Sequence, residues 1–204
     1  MLKSRFEKTK GMAGILLLCT LLAACGTPES RAEVWAWIDR RDGYSSSVNA
    51  MMSALSDATL VTQDPNSLVQ QHGTQIEYHA SNGKSYLWYP GNRTIVVGQW
   101  RAQDFNSAGV QLCYRYGSNA FNPVTKKSGG SWECSKRSFR DSDFLEGNPF
   151  KLKAGPVPFV IPDRRRYYPE HLVKWLGGDP TKIAYRDRTP YADQLLRRIE
   201  LETQ

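Results

Sequence analysis

Few side chains in this 204-residue sequence are placed to do chemistry: four cysteines, three histidines and one run of arginines. His72 and His79 stand seven residues apart across a predicted loop-to-strand change, and His171 is remote, so no zinc-type spacing is present. Glu77 and His79 share one face of a predicted strand. Such a pair either works as acid and base or is a solvated strand face, and the solvated reading is the more economical. No Gly-x-Ser-x-Gly elbow, phosphate loop, dinucleotide fingerprint or His-Glu-x-x-His occurs, so no catalytic residue, metal site or cofactor is assigned. The densest local feature is Arg164-Arg165-Arg166, followed by Tyr167-Tyr168. It is a candidate basic contact patch for anionic headgroups or peptidoglycan carboxylates. Read as a solvated stretch, it would instead pair with Asp163 and Glu170.

The overall charge has to be divided before it is interpreted. Residues 1–10 carry four cations and one acid, and residues 11–24 form an uncharged apolar run. That run of 14 residues is shorter than the roughly 18–20 a membrane-crossing helix needs, and a basic start with a short apolar centre reads as a signal peptide. Without residues 1–24 the formal charge falls from +7 to +4 over 180 residues, which weakens any nucleic-acid reading. The run ends in Leu22-Ala23-Ala24-Cys25 and resembles the lipobox of bacterial lipoproteins. The resemblance implies cleavage before Cys25 and a diacylglyceryl group on its thiol. Gly26 in place of Asp implies the outer membrane, facing the periplasm, if the source is Gram-negative. Residues 25–33 would then be a lipidated tether, and 34–204 a single globular domain.

Two further cysteines, Cys113 and Cys134, remain in the exported part. An even pair in an oxidising compartment reads as a disulfide, worth roughly 3 kcal/mol on the chain-entropy model for a loop of about 22 residues. A metal site would want more ligands than Glu133 between them, and a redox pair would be spaced Cys-x-x-Cys.

The elements that must carry these residues follow from periodicity. Val48, Met51, Met52 and Leu55 behind a serine predict a helix over Ser47–Asp57. Alternation then predicts strands over Thr74–Ala80, Ser85–Tyr89, Arg93–Arg101, Val110–Tyr116 and Trp132–Lys136. Asn82-Gly83 and Pro90-Gly91-Asn92 supply the turns. In this register Cys113 points away from Leu112 and Tyr114, so its bridge would lie on the second face or at an edge. Residues 117–131 read as a long polar loop, of the length that is usually functional or mobile. Residues 139–166 read as Pro-rich and irregular. Short helices are predicted over Pro169–Leu176 and, behind Thr189-Pro190, over Tyr191–Leu201. The expected fold is α+β: an antiparallel meander or small barrel-like sheet, with its β core at about 73–138, an N-terminal helix and a helical flank over 139–204.

Two resemblances touch the β region. Gly98-Gln99-Trp100, Leu112-Cys113-Tyr114 and Trp132-Glu133-Cys134 look like segments of small uncharacterised proteobacterial envelope proteins, which carry no activity over. Ser81–Trp88 resembles the Ser-Gly-x-x-Tyr loop of membrane-bound lysozyme inhibitors of the C type, small β-barrel lipoproteins. Here Asn82 separates Ser81 from Gly83, and the chain is longer and basic, which opposes binding a cationic enzyme. The expected function is a non-enzymatic envelope module held to the membrane by its N-terminal lipid, with a cell-wall hydrolase inhibitor as the alternative. Expected partners are an envelope protein or peptidoglycan, and no nucleic acid.

Overall fold

A computed structural model of the chain describes residues 42–44, 46–62, 72–105, 109–136, 139 and 142–188. The leader, Cys25, the tether and the helix predicted over Tyr191–Leu201 lie outside these residues. Helix α1 (Val48–Leu55) starts where the Ser47 hydroxyl accepts the Ala50 N–H at 3.1 Å, satisfying a first-turn donor that has no partner within the helix. Its stripe of Met51, Ala54 and Leu55 is buried.

Among the described residues ten strands follow: β1 (Ala58–Thr62), β2 (Gln75–His79), β3 (Lys84–Trp88), β4 (Val96–Asp104), β5 (Val110–Tyr116), β6 (Phe121–Asn122), β7 (Lys127–Ser128), β8 (Glu133–Ser135), β9 (Ser142–Glu146) and β10 (Tyr185–Asp187). Helix α2 (Pro169–Trp175) precedes β10, with Pro at its first turn and Gly177 at φ 73° just beyond its end. Eight strands make one antiparallel sheet in the order β10-β9-β1-β2-β3-β4-β5-β8. The fold is α+β, and the sheet is open, not closed into a barrel. It is also wider than the alternating stretch 73–138, because β1, β9 and β10 add a second wing. The strand predicted from Arg93 begins at Val96. Residues 93–95 pair instead with the C-terminal segment, through Ile95 N–H to the Gly155 carbonyl at 2.9 Å and Val157 N–H to the Arg93 carbonyl at 3.1 Å.

The sheet has two covers. On one face α1 packs Met51 and Leu55 against Leu60, Trp100, Leu112 and Phe144. On the other, the segment 150–172 lays Phe150, Leu152, Ile161, Tyr167 and Leu172 over Val61, Ile76, Trp88 and Leu145. That segment is pinned by the Trp88 indole N–H, which donates to the Phe159 carbonyl at 3.0 Å. Each fully buried large side chain in these clusters contributes on the order of 1.5–3 kcal/mol by leaving water. Arg186 of β10 joins the end of α1 to β9. Its guanidinium donates to the Ala54 and Ser56 carbonyls at the end of α1 (3.1 and 2.9 Å) and to Glu146 (2.8 Å). A cation there answers the carbonyl end of the helix dipole.

Candidate functional site

The second cover stops partway across the sheet. Tyr78 and Tyr86, stacked with ring centroids 6.1 Å apart, mark its margin. Beyond them, pairing register puts Lys84 opposite Gln99, Gln99 opposite Arg115, and Arg101 opposite Cys113, all on one face of β3, β4 and β5. Lys84, Gln99, Arg101 and Arg115 are exposed, as is Val97 at 39%. The Asn82-Gly83 turn, with Gly83 at φ 80°, sets the hairpin register that brings Lys84 to this face.

Trp132, just ahead of β8, closes the platform. The Arg101 guanidinium lies 4.3 Å from its ring centroid and that of Arg115 lies 5.1 Å away. Stacking on the indole orients both guanidiniums while leaving their edge N–H groups able to donate to an oxyanion. Arg115 also donates to the Gln99 side-chain oxygen. The nearest acids point elsewhere: Glu133 pairs with Tyr114 and Asp104 with Val110, both on the α1 face. Among the described residues this half-face therefore carries three cations and no carboxylate. A shallow open depression beside it is lined by Lys84, Val97, Gln99, Arg115, Tyr116 and Gly130. Chemically, the arrangement fits carboxylate or phosphate groups presented along a surface.

Cys113 and Cys134 lie directly opposite one another on β5 and the edge strand β8, and they are bonded. The bond is on the second face and at the edge, as the strand register predicts. It ties the strand that follows Trp132 to the strand that carries Arg115.

Glu77 and His79 share a face, but that face is not solvated. Glu77 is 7% exposed and His79 is fully buried. The Tyr116 hydroxyl donates to Glu77 Oε1 at 2.8 Å, and His79 Nε2 lies 2.8 Å from the Tyr114 hydroxyl with its ring edge-on to Trp100. This corrects the expectation of an exposed pair, because Trp100, Tyr114 and Tyr116 cover the polar side of β2. Both groups hold the sheet together beneath that cover.

The arginine run is exposed. Arg165 donates to Asp163 through its backbone N–H and its side chain, each at 2.8 Å, and this holds the Asp163 carboxyl below the usual range, led by the backbone hydrogen bond. The other expected partner, Glu170, is turned inward and accepts from Tyr185 (2.5 Å) and Arg188 (2.9 Å). The 117–131 stretch is partly ordered by β6 and β7, which pair as a small hairpin. Its turn is closed by Asn122 Oδ1 accepting from Val124 and Thr125 at 3.0 and 3.1 Å. At Ser81 the backbone N–H is held by the Asp57 carboxylate at 3.0 Å, and this bond leads the lowering of the Asp57 pKa. Among the described residues no group of three or more His, Cys, Asp or Glu could hold a metal ion, and no helix is long and apolar enough to cross a membrane.

No family model, curated protein or solved structure matches the chain. The Lys84–Arg101–Arg115 platform was missed by sequence reasoning. Its one signal was the repeated outward cation on successive alternating strands.

Proposed function

We propose that the chain is an exported envelope lipoprotein, anchored to the outer membrane by lipid on Cys25, whose folded part is a non-enzymatic binding module for an acidic envelope partner. The observation that carries the binding role is the open half-face on which Arg101 and Arg115 flank Trp132 and Lys84 stands opposite Gln99, with no carboxylate on that half-face among the described residues. An unscreened cation array on a sheet opposes its own folding slightly, so an acidic ligand is its natural complement. Peptidoglycan stem-peptide carboxylates meet that requirement, and so does an acidic protein surface. The Cys113–Cys134 bond agrees with an oxidising compartment, and the lipobox supplies the anchor.

Isolated peptidoglycan, incubated with the full chain and sedimented, tests the binding role. Retention that falls with salt and is lost in Arg101→Glu/Arg115→Glu is the expected result. Equal retention of both chains sinks the platform, and selective capture on immobilised lysozyme would favour the inhibitor reading instead. Palmitate label that persists in Cys25→Ser would refute the anchor.

A further inference from the structure

A second surface combines charge with exposed apolar side chains. At the end of α2, Trp175 and Leu176 are 49% and 43% exposed, and Val160 beside Phe159 is 44% exposed. The Trp175 ring meets Phe159, the residue before Val160, at 5.4 Å and Tyr167 at 4.8 Å. The Arg165 guanidinium lies 5.9 Å from the Tyr167 ring, which joins the aromatic patch to the arginine run. Arg164, Arg165, Arg166 and Lys174 are all exposed. The neighbouring acids are engaged: Asp163 with Arg165, Glu170 inward with Tyr185 and Arg188, and Asp179 with Thr181 and Lys182. The surface thus combines exposed cations with exposed apolar side chains.

That combination distinguishes it from the Arg101–Arg115 platform. Guanidiniums alone suit any soluble polyanion. A half-exposed tryptophan followed by exposed Leu176, on a surface that also exposes Val160, fits the headgroup layer of a bilayer, where amphipathic rings settle and apolar side chains enter the acyl boundary. Each cation near an anionic membrane surface raises partitioning by about fivefold.

We propose that Trp175, Leu176 and Val160, with Arg164 and Arg166, form a membrane-contact surface that docks the folded domain on an anionic phospholipid bilayer. The surface adds a second contact to the one proposed at Cys25 and does not depend on it. Paired with the lipid, it would orient the domain on the membrane as well as tether it.

Fluorescence of the full chain with vesicles of brominated phosphatidylglycerol and phosphatidylethanolamine tests this. The wild-type chain should show a quenched component that is absent in Trp175→Phe, which keeps an apolar ring at the site. The same component should weaken at least tenfold in apparent partitioning in Arg164→Gln/Arg166→Gln, and it should vanish with brominated phosphatidylcholine alone. It should persist in Cys25→Ser, so failure of the anchor and failure of this surface are read separately. Identical quenching of wild type and Trp175→Phe overturns the proposal, as does equal quenching by neutral vesicles. Burial of Trp175 that needs no vesicles and grows with protein concentration would assign the patch to self-association and also overturn it.

Discussion

The two halves of the sheet meet water differently. Around β9, β1 and β2 both faces are covered, by α1 on one side and by the segment 150–172 on the other. Around β3, β4, β5 and β8, among the described residues, only the α1 face is covered, and the opposite face presents Lys84, Arg101, Arg115 and Trp132. The covered half obtains its stability from buried area. The open half has less to bury, and its outermost strand is held by a covalent bond between Cys113 and Cys134. Apolar burial is thus concentrated in the two-sided half, and the open half of the sheet carries exposed charge.

A matched pair of tryptophans gives the strongest test of that division. Trp88 is fully buried in the two-sided half and donates to Phe159, so Trp88→Ala should cost about 3–5 kcal/mol through its cavity and the loosened C-terminal cover. Trp132→Ala, on the open side, should cost about 1 kcal/mol or less. Urea unfolding of both variants measures the ratio, and equal costs would erase the distinction between the halves.

Next in size is the bridge. Cys113→Ala/Cys134→Ala should lose about 2–4 kcal/mol, with the fluorescence midpoint in urea moving accordingly. Native-state amide exchange should accelerate first at β8 and β5, while β1 and β9 keep their protection. Uniform acceleration would mean that the two halves open as one unit.

A smaller effect is expected at the clasp. Arg186→Ala removes the guanidinium from the α1 carbonyls and from Glu146, and should cost about 1–2 kcal/mol, with Arg186→Lys unable to restore the forked contact. The hydrogen bond from Arg186 lowers the Glu146 pKa below its ordinary value. A carboxyl with a lowered folded pKa adds stability that is fully present above its unfolded pKa, near 4.3, and is lost as pH falls through the folded value. The stability gap between the wild type and Glu146→Gln should therefore be constant near neutrality and shrink below about pH 4. A gap that widens on acidification would contradict the assignment.

The same division explains what the residues revealed in advance. β2, β3 and β5 were readable because they alternate, and β2 and β3 are also set off by the turns at Asn82-Gly83 and Pro90-Gly91. β9 was not, since Ser142–Glu146 offers two apolar residues between acids and becomes an interior strand only by lying between β1 and β10. Alternation identified Glu77 and His79 as sharing a face. It carried no information about what covers that face, because the cover comes from Trp100, Tyr114 and Tyr116 on other strands. Lys84, Arg101 and Arg115 are ordinary outward positions on three separate strands. Only the pairing register assembles them, and Trp132 reaches Arg101 and Arg115 because the strand that follows it pairs with β5.

The smallest expected change in stability accompanies the largest expected change in binding. Arg101→Glu/Arg115→Glu replaces two exposed side chains whose contacts are stacking on Trp132 and one bond to Gln99, so unfolding should shift by no more than about 0.5–1 kcal/mol. Reversing two charges on a three-cation face should nevertheless abolish salt-dependent retention on peptidoglycan, because the remaining Lys84 stands beside two carboxylates. Arg164→Glu/Arg166→Glu, carrying the same charge change on the covered half, should leave that retention intact. If both double variants lose retention equally, binding follows net charge, and the open half of the sheet has no special claim to the partner.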